Sequence, residues 1–186
     1  MRLVLGVLLV ACPLAAQLHV GVKAGVPLTD VTETVGAPAL TNLPSRWALG
    51  LMVDVDLPLG LGVEVDALYR RVGYEGPAGP GTLPRTEETR EFTAGLWDFP
   101  VIGKYRFRGI PAQPYLGAGW SRRKLSDLLR IGSGADGVVL ATGLRINAVA
   151  LKISPELRYT RWTGEDVQPA FRAARNQVEL LVGFSF

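Results

Sequence analysis

Asn176-Gln177-Val178-Glu179-Leu180-Leu181-Val182-Gly183-Phe184-Ser185-Phe186 closes the chain, and its reading decides the fold. Side chains of an extended strand point alternately to two faces. Val178, Leu180, Val182, Phe184 and Phe186 therefore share one face, and every one of them is apolar. Gln177, Glu179, Leu181, Gly183 and Ser185 share the other. On a soluble sheet edge, such an apolar face would invite aggregation. In a transmembrane barrel the same face meets lipid and no strand has a free edge.

The opposite end agrees. Residues 1–17 read MRLVLGVLLVACPLAAQ, with Arg2 as a basic start and an apolar core from Leu3 to Ala11. That core is too short to span a bilayer as a helix. Ala15-Ala16-Gln17 offers small residues for cleavage, so residues 1–17 are expected to be a secretory signal peptide and 18–186 the barrel domain. Leu9-Val10-Ala11-Cys12 also fits a lipoprotein-type box, which would leave Cys12 lipidated. The preferred reading removes Cys12 with the signal, leaving no thiol chemistry in the mature chain.

Composition narrows the class. The chain has 186 residues, the size of one domain. Lys+Arg number 20 against Asp+Glu 17, and losing Arg2 takes the formal charge from +3 to +2, too little to predict a nucleic-acid partner. The hydrophobic fraction is 48%, yet no apolar run is long enough for a membrane helix. The apolar residues are dispersed by alternation and punctuated by 22 Gly and 13 Pro, which argues for an all-β chain.

Eight segments alternate. They run Leu18–Pro27, Trp47–Leu57, Leu61–Val72, Phe92–Phe107, Pro114–Arg122, Val138–Ile146, Ala150–Trp162 and the terminal strand. Pro100 and Pro155 fall inside strands, where proline cannot donate to the ladder, so bulges or missed bonds are expected there. The connections alternate in length. Long ones are Leu28–Arg46, Gly73–Glu91, Arg123–Gly137 and Thr163–Arg175; short ones are Pro58–Gly60, Arg108–Gln113 and Asn147–Val149. Four long and three short links predict an eight-stranded antiparallel up-and-down barrel with both termini on the short-turn side. In outer-membrane barrels the short turns are periplasmic and the long loops extracellular. Trp47, Tyr69, Trp97, Tyr105, Phe107, Trp120, Tyr159, Trp162 and Phe186 gather near strand ends, as interfacial girdles would. A lipocalin-like soluble barrel would carry its apolar face inside. The signal segment, the terminal phenylalanine and the girdles favour the membrane arrangement.

Four stretches carry a family resemblance: VGVKAGVPLTD at Val20–Asp30, WDFPVIGKYRF at Trp97–Phe107, PYLGAG at Pro114–Gly119 and SPELRYTRW at Ser154–Trp162. With the last strand, they make the chain similar to the outer-membrane-protein β-barrel domain family, the small OmpA-like barrels. The resemblance spans essentially the whole mature chain. It implies the fold, a bacterial outer-membrane location and recognition of Val182, Phe184 and Phe186 by the barrel assembly machinery. It implies little about activity, since such barrels are scaffolds for unrelated tasks. No peptidoglycan-binding domain is expected.

The inner face carries Asp54, Asp56, Glu64, Asp66, Glu156 and Glu179 against Lys23, Arg70, Lys104, Arg106, Arg145, Lys152 and Arg158. An eight-stranded interior is just wide enough to be filled by side chains, and buried charges persist only when paired. Glu64, Asp66, Arg70, Lys104, Arg106, Glu156, Arg158 and Glu179 are therefore expected to form a network that plugs the lumen. The alternative is a narrow porin-like channel, for which the inward glycines Gly21, Gly25, Gly62, Gly117, Gly119 and Gly143 would provide room. A basic run at Arg122, Arg123 and Lys124, with Arg130 and the stretch Arg172–Arg175, is expected on the loops, where it can touch lipopolysaccharide phosphates or simply be solvated.

Catalysis is not expected. Lipid A deacylases on small barrels pair a serine with a histidine base. Here the single histidine, His19, starts the first strand at the end opposite such a substrate, and Ser154 and Ser185 are poorly placed. The carboxylate pairs Asp54/Asp56 and Glu64/Asp66 have bases opposite them, which fits ion pairing better than a glycosidase. Gly132–Gly137 lacks the Gly-Lys-Ser/Thr ending of a phosphate loop. No cofactor or metal is expected, and the protein is expected to be a monomer among outer-membrane lipid.

Overall fold

The computed structural model describes residues 17–29, 32–34, 41–43, 47–77, 89–108, 112–125, 135–148, 151–163, 171–173 and 175–186. The signal segment up to Ala16, with Cys12, lies outside them, as do the Gly132–Gly134 loop tip and Arg130.

Eight long strands form the barrel: β1 (Gln17–Pro27), β2 (Ala48–Asp56), β3 (Leu61–Pro77), β4 (Thr89–Arg106), β5 (Ala112–Leu125), β6 (Asp136–Ala148), β7 (Leu151–Trp162) and β8 (Asn176–Ser185). Each pairs antiparallel with its sequence neighbours. The circle closes where β1 meets β8, with Gly21 opposite Ser185 and Pro27 opposite Glu179. Closure leaves no strand of the wall unpaired, which is what the apolar last strand requires.

Alternation holds along the wall. On β8 the residues at Gln177, Glu179, Leu181, Gly183 and Ser185 are buried, while Val178, Leu180, Val182 and Phe184 turn outward. The pattern inverts that of a soluble protein. Leu51 is 63% exposed and Glu64 1%.

The prolines interrupt hydrogen bonding without shifting register. β3 and β4 pair from Leu61 with Tyr105 to Val65 with Val101, skip the rungs opposite Phe99 and Pro100, and resume at Leu68 with Asp98 in the same register. β6 and β7 skip two rungs between Gly143–Glu156 and Ile146–Ile153, at Pro155, and again keep register. The missing proline N–H removes rungs, but no residue is inserted, so neither site is a bulge.

The strands run further at the long-loop end than the apolar pattern alone indicates. β3 continues to Pro77 and β4 begins at Thr89, so their ladder stands above the rest of the wall. β5 continues through Arg122 and Arg123 to Leu125. Short strands sit within the first and last long connections: Thr41–Leu43 pairs with Gly73–Glu75 of β3, and Thr32–Thr34 pairs with Phe171–Ala173. At the other end β2 turns into β3 through a tight 3-10 turn at Pro58–Gly60. There Leu59 and Gly60 both have positive φ, 64° and 81°, a conformation glycine takes without strain and leucine does not. Leu57 N–H bonds the Leu61 carbonyl at 2.9 Å to close it.

Candidate functional site

The barrel interior gathers the charged side chains of all eight strands. They sort into three groups from the short-turn end upward, and each group has its own acids and bases.

The lowest group lies beside the short turns. Arg106, from the end of β4, reaches Asp54 and Asp56, each at 2.5 Å. Arg145 of β6 faces the same two carboxylates, bonding Asp56 at 2.8 Å and Asp54 more closely still. Two planar guanidinium forks against two carboxylates give a compact four-residue cross-link between β2, β4 and β6. His19 sits at its rim. Its ring contacts Asp56 at 3.2 Å, the Phe186 carbonyl at 3.2 Å and Lys152 Nζ at 2.6 Å. The partners of His19 are thus an acid, a base and a backbone oxygen, and none is a serine.

The middle group is the most connected. Lys23 Nζ donates to Glu64 at 2.5 Å and to Asp66 at 3.2 Å. Lys104 Nζ donates to Glu64 at 2.6 Å and to Glu156 at 2.8 Å. Arg158 bonds Asp66 at 2.6 Å and Glu156 at 2.6 Å. The Tyr115 hydroxyl donates to Glu156 at 2.7 Å, and Lys104 lies 4.3 Å from the Tyr115 ring centroid. Three acids and three bases from β1, β3, β4 and β7 thus balance without net charge.

The upper group lies below the long loops. Arg123 Nε donates to Asp98 at 2.7 Å, and its Nη2 donates to Gln177 at 2.7 Å. Its guanidinium also stacks 3.9 Å above Trp162, whose indole N–H bonds Gln177 at 3.1 Å. Arg70 contacts Asp98 at 2.7 Å and Glu179 at 2.6 Å. Those contacts leave Arg70 Nη1 and Nη2 and Glu179 Oε1 without a hydrogen bond of good geometry, and Arg70 Nε and Gln177 Nε2 are buried without one as well. The upper group is electrostatically matched but less well bonded than the two beneath it.

Every buried charged side chain among the described residues has an opposite charge within 4.0 Å. All eight residues predicted for the lumen network are inside. They do not form one cluster: Arg106 belongs to the lowest group, Arg70 and Glu179 to the upper, and the other five to the middle. Lys23, Asp54, Asp56, Asp98, Arg123, Arg145 and Tyr115 complete the groups.

Two sequence expectations are corrected. Arg123, placed with Arg122 and Lys124 on an outer loop, is only 5% exposed and points into the lumen, because β5 runs on past it. Trp162, counted with the interfacial aromatics, is likewise buried inside beneath Arg123. Strand parity carried both answers: Trp120 and Tyr159 turn outward, so Arg123 and Trp162, each three residues on, must turn inward.

Gly62, Gly143 and Gly183 are seats for large neighbours. A Cβ at Gly62 would lie 2.2 Å from the Arg106 guanidinium, one at Gly143 2.6 Å from the Tyr115 hydroxyl, and one at Gly183 2.8 Å from the Met52 sulfur. Apolar side chains fill further space: Met52, Leu68, Leu96, Ile102, Val139 and Leu181 are buried within the same wall. Among the described residues no group of three or more His, Cys, Asp or Glu is arranged to hold a metal ion.

No family model matches the chain, and no curated protein sequence matches it. Solved structures do. Neisserial surface protein A superposes with a TM-score of 0.53 at 18% identity, covering 92% of this chain and 97% of that one. AlkL, an outer-membrane protein solved by solid-state NMR in lipid bilayers, gives 0.52 at 16% identity, covering 91% and 88%. The shared feature is the fold: this chain has the closed, eight-stranded antiparallel architecture of small outer-membrane barrels.

Proposed function

We propose that the chain is an integral bacterial outer-membrane barrel, exported through a cleaved signal, whose lumen is a structural plug and whose loop end is an interaction surface. It acts as a monomer without catalytic activity, cofactor or nucleic-acid partner. Its surroundings are outer-membrane lipid and lipopolysaccharide. Support for the membrane comes from the wall, where large aliphatic and aromatic side chains face outward on every strand, over far more area than a soluble monomer exposes. The single observation that carries the plug is the complete pairing of the buried charges. A conducting path needs mobile water and exchangeable charge, whereas here carboxylates and cations are locked on one another, and the space beside Gly62, Gly143 and Gly183 is filled by Arg106, Tyr115 and Met52.

Two measurements test this. The protein should show heat-modifiable migration in detergent gels and fractionate with outer membranes. Intact protein in planar bilayers should be silent, and Arg106→Ala or Glu156→Ala should conduct. A stable, defined conductance of the intact protein would replace the plug with the narrow porin-like channel. Assembly is tested separately. Phe186→Asp should lower insertion in cells while refolding into detergent is retained, as expected if Val182, Phe184 and Phe186 are read by the assembly machinery. Equal insertion of that variant would remove this role.

A further inference from the structure

We propose that one resident water molecule closes the upper group of the lumen, accepting a hydrogen bond from Gln177 Nε2 and donating one to the Glu179 carboxylate. The inference rests on the plugged lumen proposed above and adds to it a solvent site with a definite place.

The upper group is a chain of contacts that leaves β8 and returns to it. Gln177 Oε1 accepts from Arg123 Nη2 at 2.7 Å, and the same nitrogen donates to Asp98 Oδ2 at 3.1 Å. Asp98 Oδ2 lies 2.7 Å from Arg70 Nη2, and Arg70 Nη1 lies 2.6 Å from Glu179 Oε1. The path runs from β8 through β5, β4 and β3 and back to β8. It begins and ends two residues apart on one inward face.

The open step lies between Gln177 and Glu179, and the chemistry of Gln177 fixes what it lacks. Its amide oxygen faces Arg123 and the Trp162 indole N–H, at 2.7 and 3.1 Å. Both neighbours only donate, so turning the amide over would set donor against donor. Nε2 must therefore point away from them. It is buried and has no hydrogen-bond partner among the described residues. Glu179 Oε1 makes no hydrogen bond of good geometry either. Successive residues on one face of a strand are about 6.8 Å apart. Parallel side chains at that spacing are beyond a direct bond but within reach of one water, whose two bonds span about 5.6 Å.

The ligand must accept from an amide and donate to a carboxylate, which a simple anion or a metal ion cannot do. Charge gives the same answer. Arg70 and Arg123 balance Asp98 and Glu179, so a bound ion would leave a buried charge unpaired. Water meets both demands, and buried polar groups left without a protein partner are where structural waters are held. Leu68 and Leu181 are the next inward residues below Arg70 on β3 and below Glu179 on β8, and both are fully buried. They offer no polar group, so the water does not continue downward along either strand.

The test uses the full chain, labelled with 13C and 15N and folded in deuterated detergent micelles in ordinary water. Cross-relaxation with water is read in the rotating frame, where its sign separates a nearby water from proton exchange. The Gln177 Nε2 protons should show a water contact of dipolar sign. The Tyr115 hydroxyl proton, held on Glu156 at 2.7 Å in the middle group, should show neither contact nor exchange. Glu179→Leu, which removes the acceptor, should lose the Gln177 signal. No contact at either proton would overturn the water site and leave the plug standing. Contact at both would overturn the single site together with the plug, because the middle group would then be hydrated too. An unchanged Gln177 contact in Glu179→Leu would overturn the bridge.

Discussion

The two faces of one strand obey opposite rules here. On β7 the outward residues across the wall are Leu151, Ile153, Pro155, Leu157 and Tyr159, with Arg161 at the loop end, and the inward ones are Lys152, Ser154, Glu156, Arg158, Thr160 and Trp162. The outer face satisfies its surroundings by composition. Any aliphatic side chain of fair size will do, and no specific partner is needed. The inner face satisfies itself by geometry, because each charge there depends on particular atoms donated from across the lumen. Substitutions should therefore be judged by chemistry alone on the outside and by partner on the inside.

The largest break in that comparison should come from the middle group. Glu156 holds Lys104, Arg158 and Tyr115 and lies 3.5 Å from Lys23. Glu156→Ala leaves three cations against Glu64 and Asp66. Removing one partner of a buried ion pair costs about 3–5 kcal/mol. Urea unfolding of the barrel in lipid vesicles, followed by tryptophan fluorescence, reads this directly. A loss below about 1 kcal/mol, the scale of an exposed pair, would mean the group is hydrated rather than sealed.

The outer face should break through chemistry. Val182 is the middle outward residue of β8, between Ala24 of β1 and Pro155 of β7. With the wall in lipid, as proposed, Val182→Arg would put a charge near the bilayer midplane at a cost of about 2–4 kcal/mol. Val182→Leu should be nearly neutral, since no partner is lost. The same vesicle assay checks both. If Leu and Arg were equally tolerated there, that wall would not face lipid.

How much of this was legible follows from the same distinction. The outer rule is a period of two, and a period survives in sequence. Eight strands, their outward faces, the order of long and short links and the inward direction of Glu64, Asp66, Lys104 and Glu156 could all be read from alternation. The inner rule depends on register and on position around the barrel, which no single strand encodes. Sequence placed Arg106 and Glu156 inside, but it could not tell that Arg106 would find Asp54 and Asp56 while Glu156 found Lys104 and Arg158. Arg123 was lost for a different reason. The run Ser121-Arg122-Arg123-Lys124 lacks apolar residues, so the strand looked finished while its hydrogen bonding with Leu96 and Asp98 continued. Trp162 was assigned by residue type when its parity with Tyr159 already turned it inward.

Arg122 and Arg123 give the smallest and sharpest contrast, since the two are identical in chemistry and adjacent in sequence. Arg122 faces out, with its side chain 53% exposed and Asp136 4.0 Å away. Its replacement by Gln should move stability by no more than about 0.5 kcal/mol. Arg123 faces in, donates to Asp98 and Gln177 and covers Trp162. Gln at that position shortens the reach, removes charge-assisted bonds worth about 1.5–3 kcal/mol and exposes Asp98 to a single remaining cation, Arg70. Arg70 is already poorly aligned with its acids, so it cannot take over those bonds without moving. Parallel urea titrations of Arg122→Gln and Arg123→Gln should therefore separate cleanly, with the loss confined to Arg123. If the two variants behaved alike, β5 would end before Arg123, as the composition of that run first indicates, and the upper group would lose the residue that joins β4 to β8.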